Sequence, residues 1–423
     1  MSTVVPARRA RAAVVVLFAA HAALFGSWTA HIPEVKAHLA LTDAGLGMAL
    51  LGAPIGALAA MPVTGRLLAR FASRRVIRFT LAGYCFTAVG VGLAGSQRWL
   101  FAALALWGAF QGSLDVSMNT QGITVERALG RPVMSGFHGA WSVGGFLGAG
   151  LGAVAVAVGV SLAGQLLGFG LVAAVVAGAA SSRMLPDPPS QHGRPGRLGQ
   201  GRAIRVLRHP VVLVLGAVAL ACMLCEGAAA DWSAVYLHDS LRASPAVAAL
   251  GYAAFSATMV GLRLGGDRLL ARVPVRTLLP GLAAVSTLGL TSALVVRAPV
   301  TALLGFAALG VGLALIVPAA FSAAGRLPGI HPGTAVAAVS ALGWVGFVGG
   351  PPLIGRLADL ASLPVALAIL PLLTAAIAVV TRTTGVFAPP STPSTPSSPA
   401  PGPGAPPSDR GLAAGGPGRH EDH

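Results

Sequence analysis

Apolar residues occur along this chain in long runs, with polar residues gathered in short segments between them. Each run is long enough to form a helix that crosses a hydrocarbon core of ~30 Å, which takes about 20 residues. The pattern therefore predicts an all-α membrane protein with twelve transmembrane helices. The predicted spans are residues 12–30, 45–63, 76–95, 100–122, 136–158, 160–182, 210–230, 246–264, 275–295, 299–322, 334–356 and 362–382.

Charge is scarce and unevenly distributed. Only 10% of residues are charged, whereas soluble domains carry roughly 25%, so a soluble fold is excluded. The net charge of +16 would indicate nucleic-acid binding in a soluble protein, but here topology explains it without nucleic acid. With the spans above, 24 of the 29 Lys and Arg residues fall on the side of the N-terminus. Because cationic loops stay inside, we predict a multi-pass protein of the cell membrane with both termini in the cytoplasm.

Two segments interrupt the apolar pattern and divide the chain. Residues 183–209 are rich in Arg, Pro and Gly, and residues 388–423 are rich in Pro, Ser and Gly. Such compositions cannot bury a core. We therefore predict a six-helix half at 1–182, a cytoplasmic linker at 183–209, a second six-helix half at 210–387 and a disordered tail at 388–423.

The two predicted halves are similar in sequence. Three segments of the first half recur in order in the second half, at offsets of 202, 203 and 204 residues. They are RLLARF at 66–71 with RLLARV at 268–273, GAWSVGGFLGAGLG at 139–152 with LGWVGFVGGPPLIG at 342–355, and SWTAHIPEVKAHLALTDAGLG at 27–47 with DWSAVYLHDSLRASPAVAALG at 231–251. Because each unit holds an even number of spans, both enter the membrane from the same side. This predicts parallel repeats with a central path between them.

Two six-helix repeats joined by a basic loop resemble the major facilitator superfamily, over roughly residues 10–385. The family's loop between helices 2 and 3 reads Gly-x-x-x-Asp-Arg-x-Gly-x-Arg-Arg, and this chain has GRLLARFASRR at 65–75. Gly65, Arg70, Arg74 and Arg75 match, whereas Ala replaces the Asp at 69 and the Gly at 72. The resemblance implies a cytoplasmic gating loop here. The alternative is that these arginines only anchor the helix ends at the cytoplasmic surface.

The equivalent loop of the second half, GDRLLARVPVR at 266–276, keeps an acidic residue, Asp267, beside Arg268. The resemblance implies that this pair compensates for the missing Asp of the first half.

The segments DVSMNTQG, ERALGRPVMSGFHGAWS and CEGAAADWSAVYL resemble a bacterial branch related to fucose-permease-like and rhizopine-transport-like proteins. Drug/proton antiporters of the superfamily usually carry Arg-x-x-Gln-Gly in span 4, but this chain has GAFQG, with Gly108 in place of the Arg. The resemblance therefore favours proton-coupled uptake over drug efflux. The second acid that the permease branch carries in span 1 has no counterpart here.

Three polar residues of predicted span 4 share one helical face. Gln111, Asp115 and Asn119 are four residues apart, so their side chains stack along the helix. Ionisable groups inside a membrane face a cavity or a partner, and they mark substrate or proton paths. We predict Asp115 as the proton-coupling carboxyl, and Gln111 and Asn119 as substrate contacts. A carboxyl that only fixes helix packing is the alternative.

Span 7 supplies a second intramembrane acid. Glu226 is the predicted second coupling residue, whereas Asp231 is expected to cap the helix exit. The repeat offset of 204 places Glu226 level with residue 22, so His21 of span 1 is expected in the same layer.

The start of span 5 presents His138, which is predicted to contact the substrate or to bond Asp115 or Asn119. Trp141 and Trp344 occupy equivalent places in the two halves. An indole offers a stacking face and one N–H donor, which suits a ring-shaped substrate as well as ordinary packing.

Motifs for other chemistry are absent. The sequence holds no GxxxxGK[ST] phosphate loop, HExxH or GxSxG. We therefore predict a non-enzymatic, monomeric secondary transporter without cofactor or metal, whose partners are a small polar solute, protons and the lipid bilayer. Proton-driven efflux of drugs or metabolites is the nearer alternative. A non-transporting membrane sensor or enzyme is the alternative from another class.

Overall fold

The computed structural model describes residues 4–131, 133–186, 206–330 and 332–387, except the side chains of residues 4, 5, 135, 267, 271, 332 and 333. Every regular element in these ranges is helical. Most of the predicted linker 183–209 and the whole predicted tail 388–423 lie outside them. The domain boundaries therefore stay predictions.

The described residues form twelve long helices, α1 to α12, which follow one another along the chain. Their bounds are Val4–Thr29, Asp43–Arg70, Ser73–Gly92, Gln97–Leu129, Met134–Ala157, Leu162–Ser181, Pro210–Ser240, Leu250–Arg272, Val275–Val296, Pro299–Gly325, Pro332–Leu360 and Leu363–Thr383. A short helix, Ile32–His38, lies between α1 and α2.

Eleven of the described helices are long and apolar enough to cross a membrane. The remaining one, α3, has 20 residues but carries Arg74, Arg75 and Arg78 in its first turns, which lowers its hydropathy. Since α2 and α4 both meet the criterion and run between opposite ends of the bundle, the chain must also cross along α3. The prediction of twelve transmembrane helices is confirmed.

Several helices are longer than the apolar runs that predicted them. Span 4 was predicted at 100–122, but α4 begins after the cap of Ser96, which accepts a hydrogen bond from the backbone N–H of Trp99, and ends at the left-handed Gly130. Glu126 accepts hydrogen bonds from the N–H groups of Val133 and Met134. These bonds satisfy the free N-terminal donors of α5, so the polar end of α4 is used in packing.

The same helix packing occurs in both halves. In the first half, a Cβ on Gly144 would collide with the carbonyl oxygen of Ala19, so α5 touches the backbone of α1. In the second half, a Cβ on Gly346 would collide with the carbonyl oxygen of Leu220, so α11 touches α7 in the same way. Small residues permit this approach between membrane helices. The parallel repeat predicted from the sequence is thus visible in three dimensions.

Large apolar side chains cover the outside of the bundle. Phe86 is 81% exposed and Val295 is 74% exposed, and patches of this kind would aggregate in water. In a membrane they face the lipid tails.

Candidate functional site

A cavity of about 290 Å³ lies between the two halves, just below the usual range of roughly 300–1,000 Å³ for small-molecule pockets. Helices α1, α2, α4 and α5 of the first half and α7, α8 and α11 of the second form its wall. Seven of the eight predicted coupling and substrate residues line it, namely His21, Gln111, Asp115, His138, Trp141, Glu226 and Trp344. The structure thus brings together residues that are more than 300 positions apart in the sequence.

The first-half wall contains the polar face of α4. Gln111 and Asp115 line the cavity, but Asn119 does not. The side-chain amide of Asn119 instead donates to the Asp115 carboxylate over 3.2 Å and to the Asp115 carbonyl oxygen over 2.8 Å. Among the described residues, Asp115 has no cationic partner. Asn119 therefore orients the carboxyl of Asp115, which otherwise faces the cavity.

His21 and Trp141 are bonded to each other on the same side. The indole N–H of Trp141 donates to Nδ1 of His21 over 3.3 Å, and Tyr84 donates its hydroxyl to the His21 carbonyl oxygen over 3.0 Å. His21 is only 3% exposed. Trp141 thus lines the cavity while its N–H fixes the imidazole of His21, and stacking of its ring on a substrate stays a prediction.

His138 lies at the cavity wall but does not bridge to α4. Its ring meets Phe18 edge-on at 5.5 Å, and no hydrogen bond joins it to Asp115 or Asn119 in the described structure. The predicted bond to Asp115 or Asn119 is therefore absent here, and contact of His138 with a bound molecule stays a prediction.

On the second-half wall, an ion pair links α7 and α8. The guanidinium of Arg263 lies 3.5 Å from Oε1 of Glu226 and also donates to Ser142 of α5 over 3.2 Å and to the Ala314 carbonyl oxygen over 3.3 Å. Arg263 was counted among the cationic residues at the cytoplasmic end of the predicted span 246–264, but α8 continues for nine residues beyond it, to Arg272. Arg263 is a residue of the cavity, and its bond to Ser142 joins the two halves.

Asp231 is also placed differently from the prediction. It was expected to cap the exit of span 7, but α7 continues as helix beyond Val235, and Asp231 lines the cavity. Among the described residues it forms no ion pair. The cavity therefore holds three carboxyls and one guanidinium.

The predicted gating residues lie away from the cavity, at the end of the bundle where α1 begins. Gly65, Arg70, Arg75 and Arg268 are exposed, and the side chain of Asp267 lies outside the described residues. Arg74 donates to the Met184 carbonyl oxygen over 2.8 Å, which ties α3 to the end of α6 within one half. Their gating role stays a prediction.

The opposite end of the bundle, called here the distal end, is closed by contacts between the halves. Lys36 lies 2.6 Å from the carboxylate of Asp239 in α7 and also pairs with Asp43 at the start of α2. The N–H of Ala44 donates to Asp359 of α11 over 3.1 Å. These bonds must break before the cavity can open at the distal end.

Lys36 is held charged by this arrangement. Burial by itself lowers the pKa of the amine, but its hydrogen bonds to Asp239 and Asp43 and their negative charges outweigh burial and raise the pKa above its ordinary value of 10.5. Because the folded pKa is raised, the stabilisation is fully present below pH 10.5 and is lost only as the pH rises through the raised value. The charge of Lys36 at the distal end is therefore insensitive to pH near neutrality.

We expect Lys36→Ala to favour opening at the distal end, since it removes the charge that links the halves. The measurement is the rate at which a membrane-impermeant maleimide, added from the distal side, labels a cysteine introduced at Ser256, which lines the cavity. The three native cysteines are replaced first. Labelling should be several-fold faster in the variant.

Arg98→Ala is the matched control, because Arg98 is an exposed cation at the start of α4, on the same end of the bundle. It should leave the labelling rate unchanged. Equal rates in Lys36→Ala and the parent protein would contradict a closing role for Lys36.

Arg263→Ala is expected to destabilise the protein, since it leaves Glu226 as an unpaired carboxylate on the cavity wall. Breaking one partner of a buried pair typically costs roughly 3–5 kcal/mol. The N···O distance of 3.5 Å and exposures of 24% and 21% place this pair at the low end. Unfolding of the purified protein in detergent measures the effect.

The double variant Arg263→Ala with Glu226→Gln should recover part of the lost stability, because no unpaired charge remains. Arg268→Ala, an exposed arginine of the same helix, is the control. Additive losses in the double variant would show that the ion pair is not what Arg263 contributes.

Several residues were not predicted from the sequence to line the cavity. They are Trp28, Trp107, Asp231, Tyr252, Ser256 and Arg263. Spacing alone could have found Trp107, which precedes Gln111 by four residues and Asp115 by eight on the same face of α4. For Arg263 the available signal was its position inside the predicted span 246–264, although its partner Glu226 lies on another helix.

Comparison with known proteins agrees with this architecture. The family model of the Major Facilitator Superfamily matches residues 13–331. An uncharacterised MFS-type transporter of Yersinia pestis is 34% identical over 346 residues, covering 82% of this chain and 88% of the relative. An uncharacterised transporter of Sinorhizobium fredii is 36% identical over 358 residues, covering 82% and 91%.

Among solved structures, the nucleoside transporter NupG has the same fold, with a TM-score of 0.70 at 12% identity, covering 89% of this chain and 99% of NupG. At that identity the likeness concerns the fold alone.

Proposed function

This chain belongs to the major facilitator superfamily and is a secondary transporter in a membrane, and on that premise we propose that it takes up a small polar solute together with protons by alternating access. As a member of a transporter family, it is not an enzyme.

The observation that carries the proposal is the position of Asp115. It lies on the cavity wall between the halves, with Asn119 behind it and without a cationic partner among the described residues. A lone carboxylate in an apolar medium is expensive, so the group is stabilised by binding a proton or a polar ligand. Proton transport and solute transport are coupled if the proton and the solute both bind at Asp115 in the same state of the transport cycle.

Glu226 differs from Asp115 in having a cation beside it. Its pair with Arg263 is exposed to the cavity by about a fifth on each side, so a proton or a solute can reach it. We propose that the pair loosens when Glu226 is protonated, which makes it the second acid of the cycle.

Alternating access requires the two ends of the cavity to open in turn. The halves are joined at the distal end by Lys36 and Asp239 and near the cavity by Arg263 and Ser142. We propose that these polar contacts form and break during the cycle, together with the close packing of α2 on α11, where a Cβ on Gly47 would collide with the carbonyl oxygen of Pro351. The tightly packed helix pairs α1–α5 and α7–α11 move as units.

Gly108 supports uptake rather than drug efflux. A Cβ at this position would collide with the carbonyl oxygen of Ala53, so α2 and α4 leave no room for the arginine that antiporters usually carry there.

We place both termini in the cytoplasm and expect a monomer, as the charge distribution of the loops and the family resemblance imply.

Reconstitution tests the proposal. A solute is first identified by thermal-shift screening of purified protein against sugars, cyclitols, organic acids and drugs. Liposomes with an alkaline interior and acidic exterior should then concentrate that solute, and a protonophore should abolish the accumulation.

Two other outcomes of these experiments would favour a different function. Increased drug tolerance of a sensitised host without solute uptake would favour efflux. An absence of flux for every solute across the panel would favour a sensor.

A further inference from the structure

Arginines gather where α3 begins and α6 ends. Arg75 and Arg78 lie in the first two turns of α3, and Arg183 follows the last turn of α6. All three side chains are exposed. Neither helix contains an acidic residue, and no ion pair joins these arginines to a carboxylate among the described residues. We call these three residues the arginine patch.

Two hydrogen bonds bring the members of the arginine patch together. Nε of Arg78 donates to the hydroxyl of Ser181 over 2.8 Å, and Arg74 donates to the carbonyl oxygen of Met184 over 2.8 Å. Arg183 lies between Ser181 and Met184 in the chain, so its backbone is beside α3. The two terminal nitrogens of Arg78 have no partner among the described residues. Their N–H groups are therefore available to an anion.

The surface that continues from the arginine patch along α3 is apolar. Arg75, Phe79, Ala82 and Phe86 follow one another at helical spacing and are all exposed, so they share one face of the helix. Phe79 is 63% exposed, and Val175 of the neighbouring α6 is 68% exposed. In a membrane such side chains face lipid tails. Cations at the end of an apolar helix face are complementary to a molecule with an anionic head and hydrocarbon chains.

The second half of the molecule lacks this arrangement. Helix α9 begins 202 residues after α3 and is its counterpart in the repeat. Thr277 stands in place of Arg75, and Pro280 stands in place of Arg78. A cation inside a span costs free energy unless its long side chain reaches a polar partner at the membrane surface. Because α9 spans the membrane without these two arginines, topology by itself does not explain them.

We propose that the arginine patch binds the phosphate of an anionic phospholipid, whose acyl chains lie against the exposed apolar faces of α3 and α6. A guanidinium binds two phosphate oxygens at once through its fork of N–H groups. The apolar face beside the cations selects a membrane lipid over free phosphate. The site lies apart from the cavity, so the proposal is independent of the transported solute and of proton coupling.

Native mass spectrometry of the purified full chain in detergent tests the proposal. The protein is titrated with equal amounts of phosphatidylglycerol and phosphatidylcholine that carry the same acyl chains. The parent should retain phosphatidylglycerol preferentially. The triple variant Arg75→Gln, Arg78→Gln, Arg183→Gln should lower this preference at least tenfold, because each basic residue near an anionic lipid contributes about fivefold. Glycerol 3-phosphate, which lacks acyl chains, should not distinguish the parent from the variant.

The matched control is the triple variant Arg272→Gln, Arg276→Gln, Arg382→Gln, which removes three exposed arginines from the corresponding end of the second half. It should keep the preference of the parent. If the first triple variant does not fold, Arg78→Gln by itself should lower the preference about fivefold. Arg78→Lys, which keeps the charge, should retain most of it.

Any of four results would overturn the proposal. The parent could retain both lipids equally, or its preference could survive removal of the arginine patch. The control variant could lose the preference to the same extent, which would show a response to net charge. Glycerol 3-phosphate could bind the parent more tightly than the variant by the same factor as the lipid, which would show a site for free phosphate.

Discussion

Asp115→Asn is expected to abolish accumulation of the solute against its gradient, while exchange of the solute across the membrane continues. The amide has the shape of the carboxyl but takes up no proton near neutral pH. The new side-chain oxygen can still accept from Asn119, which donates to the Asp115 carboxylate over 3.2 Å in the parent protein. Folding and solute binding should therefore survive, and only the link to the proton gradient should be lost.

Two assays on the same liposomes separate these effects. With an alkaline interior, the variant should bring the solute only to equal concentrations on both sides, whereas exchange of labelled for unlabelled solute should proceed at a rate close to that of the parent protein. Asp115→Glu, which keeps a titratable group, should restore part of the accumulation. Accumulation by Asp115→Asn that equals that of the parent would eliminate Asp115 as the coupling residue.

Gly108→Leu is expected to prevent the first half from packing. A Cβ at this position would already collide with the carbonyl oxygen of Ala53, and Gly56 makes the reciprocal contact with the Ala105 carbonyl oxygen. Both obstacles are backbone atoms, which cannot rotate away as a side chain would. The cost should therefore exceed the roughly 1–3 kcal/mol of ordinary overpacking, and Gly108→Ala should show a smaller loss of the same kind.

Thermal unfolding and the fraction of monodisperse protein in detergent measure this loss. Gly168→Leu is the control, because Gly168 is an exposed glycine of α6 and a Cβ there would meet no atom within 4 Å. Its melting temperature should stay near that of the parent. A Gly108→Leu protein as stable as the control would show that α2 and α4 separate easily.

Much of the fold was predictable because the membrane restricts the possible structures. Apolar runs of spanning length predict helices directly, and the repeat offset predicts two similar halves. The face shared by Gln111 and Asp115 was predictable for the same reason, since spacing within one helix is encoded locally. These predictions depend on residues that are close in sequence.

The composition of the second-half wall was not predictable in the same way. Whether Arg263, at the end of the predicted span 246–264, anchors a helix end at the cytoplasmic surface or lines the cavity depends on where α8 ends. An apolar window does not mark that end when polar residues are buried against other helices. Asp231 was misplaced for the same reason, because α7 continues past the apolar run that predicted it. Contacts between helices decide both positions.

The absence of an arginine at position 108 has a steric reason that the sequence alone does not give. A comparison of motifs shows only that the antiporter residue is missing. The approach of α2 to α4 shows that no side chain can be placed there without moving a helix. The residue at position 108 therefore bears on how closely α2 and α4 pack, as well as on the difference between drug antiport and solute uptake.

The placement of the tryptophans makes intrinsic fluorescence a probe of ligand binding in the cavity. Of the six indoles, Trp28, Trp107, Trp141 and Trp344 line the cavity, whereas Trp99 is 54% exposed on the outside and Trp232 is fully buried. Four of the six rings therefore lie where a bound molecule would change the polarity and quench their emission. Ligand titrations can be followed by intrinsic fluorescence without a label, and a selectively quenched fraction reports occupancy of the cavity.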